Sequence, residues 1–191
     1  MEETVKTSEK KNERQSAGLA VCDLLEVIVT SVLIVMLLFT FVMRIAIVKG
    51  TSMTNTLHDG DKMLVWSLGY TPKQGDIIVC QTQFFGFDEP IVKRVVATEG
   101  QTITLDVTTW SVYVDGVRLE EDYVRYIEGK SMTGWSYGDS YTVPEGHVFC
   151  MGDNRNGSWD CRDANVGPID LRYVIGRVVF RISPLSAIRL F

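Results

Sequence analysis

Between Val27 and Met43 the chain reads VIVTSVLIVMLLFTFVM, with no charged residue. The run has no polar face, so it does not read as a core helix of a soluble domain. With Leu24, Leu25 and the turn around Ile45 to Val48 it supplies about 20 apolar residues or more. At about 1.5 Å per residue that crosses a hydrocarbon layer of about 30 Å. Asp23 and Glu26 stand where carboxylates favour a helix N-terminus, and Arg44 can snorkel at the far end. Residues 24–46 are therefore expected to form a membrane anchor. A cleaved leader fits less well, because the apolar run is too long and Ala46-Ile47-Val48 offers no small-x-small site.

Ahead of the anchor, residues 1–23 read as a cytoplasmic tail, disordered over its first fifteen positions. These carry both signs and lack apolar periodicity. Lys6, Lys10, Lys11 and Arg14 outnumber Arg44 and Lys49 beyond the span, which places the tail inside and the remainder outside.

After Gly50 the pattern changes to short runs rich in β-branched and aromatic residues. They fall at 62–66, 76–80, 91–97, 102–107, 111–114, 117–119, 141–143, 148–151 and 174–182, with Gly, Pro and Asp between them. Asp115-Gly116 is a preferred two-residue hairpin turn. The expected fold is mainly β. Residues 47–191 form an antiparallel sheet or partly closed barrel, behind one N-terminal transmembrane helix. Residues 100–145 are read as an inserted β subdomain, loop-rich from Glu120 to Ser140.

Composition excludes several classes. A net charge of −5 gives no overall basic field for nucleic acid. Cys22, Cys80, Cys150 and Cys161 form no CxxC pair and no zinc spacing with the two histidines, so neither metal nor cofactor is expected. Cys22 precedes the apolar run, whereas a lipidated cysteine would follow it. Cys150 and Cys161 read as a core thiol and a loop thiol.

Three stretches carry candidate chemistry: Val48 to Leu57 (VKGTSMTNTL), Ile91 to Val96 (IVKRVV) and Gly152 to Arg162 (GDNRNGSWDCR). A serine hydroxyl needs a base to become a nucleophile. His58 and His147 sit in turn-like segments and Ser52 lies in no G-x-S-x-G context, so exposed loop histidines are the simpler account of both. Lysine can serve if burial lowers its pKa from about 10.4 until the amine is neutral. On a strand, Lys93 shares a face with Ile91 and Val95 while Arg94 points away. That arrangement can bury the amine and leave the guanidinium solvated or paired, with Asp153 as a partner it could meet. An ordinary edge-strand lysine is the other reading of this stretch. Ser158 could orient the amine, and Asp160 with Arg162 could brace the loop.

In this order, behind an anchor, the stretches resemble type I signal peptidase, the membrane-bound Ser–Lys endopeptidase. The likeness covers most of the chain: Ser52-Met53 with Thr56-Leu57, Gly75-Asp76-Ile77-Ile78, Lys93-Arg94-Val95, and Gly152 to Arg155 with Ser158, Asp160 and Arg162. It implies Ser52 as nucleophile, Lys93 as general base and then acid, Ser158 as a partner of the lysine, and the Ser52 N–H as an oxyanion donor. It implies apolar pockets near Val48, Gly50, Met53, Leu57, Ile91 and Val92. The partners would be preproteins cut after small-x-small motifs, together with the lipid bilayer, without nucleic acid or metal.

The chain departs from the family pattern at Gly50, where some relatives carry a serine donor, and at Asn55, Glu99 and Cys161. Two other readings are a self-cleaving repressor peptidase, which would carry a DNA-binding domain where this chain has its apolar run, and an anchored β module without chemistry. Gln83 to Phe87 (QFFGF) is an aromatic cluster that could meet the membrane interface or pack on the core.

Overall fold

The computed structural model describes residues 2–81 and 89–191, with side chains from residue 19 onward. The Phe84-Phe85-Gly86-Phe87 cluster lies outside the described residues. The chain divides into two units, Met1–Val42 and Met43–Phe191.

The first unit is a single helix, α1 (Glu2–Phe41). The tail is thus helical rather than disordered, in keeping with the high helix propensity of its Glu, Lys, Gln and Arg residues. Leu19–Phe41 is a stretch of 23 residues with mean hydropathy 2.6, long and apolar enough to cross a membrane. The helix stops short of the expected boundary at residue 46, because Met43–Ile47 is recruited as a strand.

The second unit contains β1 (Met43–Ile47), β2 (Lys62–Trp66), β3 (Ile77–Cys80), β4 (Ile91–Thr98), β5 (Thr102–Asp106), β6 (Ser111–Val114), β7 (Val117–Arg118), β8 (Tyr141–Thr142), β9 (His147–Met151), β10 (Ile169–Asp170), β11 (Val174–Ser183) and β12 (Arg189–Leu190). The larger sheet runs β1-β2-β11-β3-β4-β9-β10, with β12 also on β11, and it curls into a half-barrel. Its described pairings are antiparallel. β1 pairs with β2 along its whole length, from Met43↔Trp66 to Ile47↔Lys62. A β-branched segment that leaves the apolar helix therefore finds its hydrogen bonds on a sheet edge. The smaller sheet, β7-β6-β5-β8, forms the inserted subdomain. Its hairpin turns at Asp115 (φ 52) and Gly116 (φ 79), the left-handed pair that a tight two-residue loop requires.

β3 is buried on both faces and separates two cores. Ile77 and Val79 join Val48, Met53, Leu57, Met63, Val65 and Val178. Ile78 and Cys80 join Val95, Phe149, Cys150 and the apolar side of the insert. Period-two alternation on β4 follows from its register with β3: Lys93 lies opposite Ile78, and Arg94 opposite Ile77. The lysine therefore points to one side of the sheet and the arginine to the other.

The insert is fastened to the sheet by charge as well as by apolar packing. Arg155, in a 3-10 turn at Arg155–Gly157, is paired with Glu121 of the insert, and both side chains are almost wholly buried.

Two substitutions test this frame. A Cβ on Gly176 would lie 2.2 Å from the Trp66 carbonyl oxygen across the β11–β2 pairing. Gly176→Ala is expected to lower stability by about 1–3 kcal/mol in denaturant titrations, as overpacking does. Glu121→Ala leaves a buried guanidinium unpaired and should cost about 3–5 kcal/mol. A loss under about 1 kcal/mol in the same titration would show that the insert does not depend on the pair.

Candidate active site

Ser52 sits in a compact turn that begins where the chain leaves β1. Thr54 N–H donates to the Thr51 carbonyl at 3.1 Å, and the N–H groups of Thr56 and Leu57 donate to the Met53 carbonyl at 3.0 and 2.9 Å. Met53 and Leu57 are buried at 1% and 0% exposure, so two apolar anchors fix the turn that presents the serine. Asn55 adopts φ 98, a region closed to proline and tolerated by asparagine. Gly50 has φ 84, and its N–H donates to Asp59 Oδ1 at 2.7 Å.

The Gly152–Arg162 loop grips this turn from the other side. Asn154 N–H donates to the Ser52 carbonyl at 2.9 Å, and Asn154 Nδ2 donates to the Thr51 carbonyl at 3.0 Å. Gly152 has no room for a side chain: a Cβ would come within 2.2 Å of Ser158 Oγ and 2.5 Å of the Ser52 carbonyl oxygen. Among the described residues the Ser52 N–H has no hydrogen-bond partner.

Lys93 reaches this point from β4. Its Nζ lies 2.7 Å from Ser52 Oγ, and the residue is 5% exposed. Burial lowers its pKa from the ordinary 10.5; Asp160 and the Cys80, Cys161 and Cys150 thiols act in the opposite direction. The thiols oppose it only when ionised. Burial pushes Cys80 up to about 12 and Cys150 well above 9.0, so neither carries charge at neutral pH.

Asp160 is the nearby carboxylate, and its oxygens are already engaged. They accept from Arg162 Nε at 2.8 Å, Arg162 Nη2 at 2.9 Å, Gly152 N–H at 2.9 Å and Ser158 Oγ at 2.7 Å. Burial pushes the Asp160 pKa up, but the Arg162 charge and these bonds together hold it below its ordinary value. The Ser158 hydroxyl gives its proton to Asp160, so it can meet the Lys93 amine only as an acceptor. On the other face of β4, Arg94 pairs with Asp153 at 2.7 Å and stacks over Tyr123 at 3.8 Å. Thr56 Oγ1 also donates to Asp153.

The expected apolar pocket residues divide. Val48, Met53 and Leu57 are buried beneath the site, and Ile91 packs against the larger core. Val92 lines a groove of about 410 Å³ that runs between residues 44–49 on one wall and 89–92 on the other, over Val65, Val79 and Ile175. Gly50 is absent from that lining. Sequence reasoning missed the charges on its rim. Arg44 and Lys49 line one wall and Glu89 the other, and Lys49 Nζ lies 2.5 Å from Glu89 Oε1. It also missed Glu121, which nothing in the run Glu120-Glu121-Asp122 distinguishes from its neighbours.

Neither histidine meets the serine. His58 is exposed, and His147 Nδ1 lies 2.8 Å from the Glu145 carbonyl oxygen. The cysteines are free. Cys161 is buried rather than an open loop thiol, and its Sγ accepts from Cys150 N–H at 3.2 Å.

Known proteins share this arrangement of sequence. The family model described as signal peptidase, peptidase S26, matches residues 21–183. A probable signal peptidase I-1 of Synechocystis is 33% identical over 169 residues, spanning 83% of this chain and 81% of its own. A signal peptidase I of Bacillus licheniformis is 31% identical over 194 residues, spanning 96% and 98%. A crystal structure of a signal peptidase I from Enterococcus faecalis is 28% identical, covers 57% of this chain and 97% of its own, and superposes with a TM-score of 0.48. The match over residues 21–183, with these full-length relatives, places the chain in the signal peptidase family, peptidase S26, as a peptidase of signal peptides.

Proposed function

We propose that the chain is a membrane-bound serine endopeptidase that cuts signal peptides from preproteins, with Ser52 as nucleophile and Lys93 as general base. The observation that carries this reading is the 2.7 Å approach of a buried amine to a serine hydroxyl. A neutral amine accepts the hydroxyl proton as Oγ adds to the scissile carbonyl carbon. The Ser52 N–H, free of other partners among the described residues, donates to the oxyanion that develops. The protonated Lys93 then gives its proton to the leaving amine, which departs as the mature protein's N-terminus. Water attacks the resulting ester, with Lys93 again taking the proton, and Ser52 is restored. Ser158 donates to Asp160 and, with the Asp160–Arg162 pair, braces the loop beside the amine. The Arg94–Asp153 pair ties the strand that carries the base to the loop that grips the nucleophile.

Two strand edges that are unpaired among the described residues favour an extended substrate. β1 pairs on one side only, with β2, and Ile91 to Lys93 pair with β3 but not with β9, whose register begins at Arg94. A peptide can add as a strand along the groove between them, with alternate side chains directed to its floor. Branched residues on that floor suit alanine-sized side chains, which is the basis for cleavage after small-x-small motifs. The helix over Leu19–Phe41 anchors the chain in the cell membrane. The four basic residues of the tail favour a cytoplasmic N-terminus and an extracytoplasmic catalytic unit.

Cleavage of a reporter preprotein by the full-length chain in detergent micelles tests the assignment. Ser52→Ala and Lys93→Ala should each lower kcat by about 10⁴-fold or more with the circular dichroism spectrum unchanged. Wild-type rate should rise with pH as the amine loses its proton, at a pH below the ordinary lysine value. Full activity in Lys93→Ala, or a rate indifferent to pH, would defeat the assignment.

Stability gives an independent measure of the amine. Unfolded, Lys93 titrates near its ordinary 10.5, and in the fold burial holds it lower. Between the two values the unfolded chain binds the extra proton, so this group makes stability rise with pH through that window. Below the folded value its full cost is present. Lys93→Met removes the cost, so its Tm should exceed the parent's at neutral pH, with the two curves converging toward pH 10.5. Parallel Tm curves would mean that the amine is not desolvated.

A further inference from the structure

The rim of the groove carries a charge pattern that the chemistry at Ser52 does not use. Its floor is apolar, from Val65, Val79 and Ile175, yet Arg44 and Lys49 stand on one wall and Glu89 on the other. Lys49 and Glu89 meet at 2.5 Å and so bridge the two walls, with side chains 70% and 62% exposed. Arg44 has no carboxylate partner among the described residues. Among the described residues the rim therefore holds two cations and one anion.

We propose that Lys49 and Glu89 form a charged clasp over the groove that selects preprotein segments with an acidic side chain beside the cleavage point. The inference rests on the peptidase reading. In an extended peptide side chains alternate, so when the residue at the cut faces the floor, the residue before it faces the rim. A peptide that occupies the groove has to part Lys49 from Glu89 or pass beneath their contact. Exposed ion pairs are weak and open readily. An aspartate or glutamate at the outward position takes Lys49 over from Glu89 and leaves the ion count of the rim satisfied. A lysine or arginine there can bind Glu89, but it strands Lys49 beside Arg44. The excess of one positive charge among the described residues thus sets the sign of the preference.

The test uses the full-length chain in detergent micelles and three reporter preproteins that differ only in the residue before the cut residue: Asp, Gln or Lys. Wild type should cut the Asp reporter about 2- to 5-fold faster in kcat/KM than the Lys reporter, the range expected of an exposed pair. The ratio should shrink in high salt. Lys49→Glu leaves the rim with one net negative charge and should invert the ratio. Glu89→Lys makes it more positive and should widen it, and the charge-swapped double variant, with the wild-type net charge, should restore the preference for the Asp reporter. Cleavage of the Gln reporter with an Asp to Lys ratio near one in wild type and both single variants would overturn the clasp while leaving the peptidase assignment intact. Failure to cut the Gln reporter in wild type would overturn the peptidase assignment and the clasp with it.

Discussion

A single desolvated amine sets the terms for the catalytic unit. An ammonium in water at neutral pH is useless as a base, and water is what keeps it charged. β4 removes the water by carrying Lys93 inward among Ile78, Cys80 and Val95, where charge is disfavoured. Only the tip of the side chain approaches a polar partner, the Ser52 hydroxyl. The strand's alternation makes this possible, since the same two-residue period that buries Lys93 sends Arg94 to the other face, where Asp153 receives it.

Positioning the hydroxyl is a separate problem, and the fold solves it with packing and backbone bonds. The turn around Ser52 is too short to hold itself. Met53 and Leu57 sink into the smaller core beneath it, while Asn154 takes the carbonyl oxygens of Thr51 and Ser52 from above. Gly152 permits this close approach because any larger residue would strike the Ser52 carbonyl oxygen. The Ser52–Lys93 contact joins segments 41 positions apart in the chain, and a third segment about a hundred positions on from the serine clamps one of them.

Much of this was legible in the sequence, for reasons that differ by element. The strands were readable because β-branched runs separated by Gly, Pro and Asp have few other uses, and Asp115-Gly116 dictates its own turn. Lys93 was not readable from its strand neighbours alone, which suit an edge-strand lysine as well; it stood out only beside the Ser52 and Gly152–Arg162 stretches. Strand β1 was not readable, since Met43 to Ile47 continue an apolar run and nothing local separates the end of a helix from the start of an edge strand. The pocket residues were read too broadly. Met53 and Leu57 are apolar because they hold the serine turn in the core, and one-dimensional hydrophobicity does not separate an anchor from a wall. Glu121 and the Lys49–Glu89 pair were not readable as such because each depends on a partner distant along the chain.

The buried ions around the site also bear on the downward shift of the Lys93 pKa. Arg94 is matched by Asp153, Arg155 by Glu121 and Arg162 by Asp160. Among the described residues Lys93 makes no ion pair at all. Asp160 is the carboxylate that could hold a proton on the amine, and Arg162 takes both of its oxygens, with Gly152 and Ser158 on the remaining lone pairs. An arginine cannot give up its proton at any ordinary pH, so its claim on Asp160 is permanent. Asp160 still pulls the Lys93 pKa upward, and burial is the larger influence, so the net shift is downward. Without Arg162 the same carboxylate would lack its nearest counter-ion and favour the ammonium more strongly, so the guanidinium supports the role proposed for Lys93 by engaging its competitor.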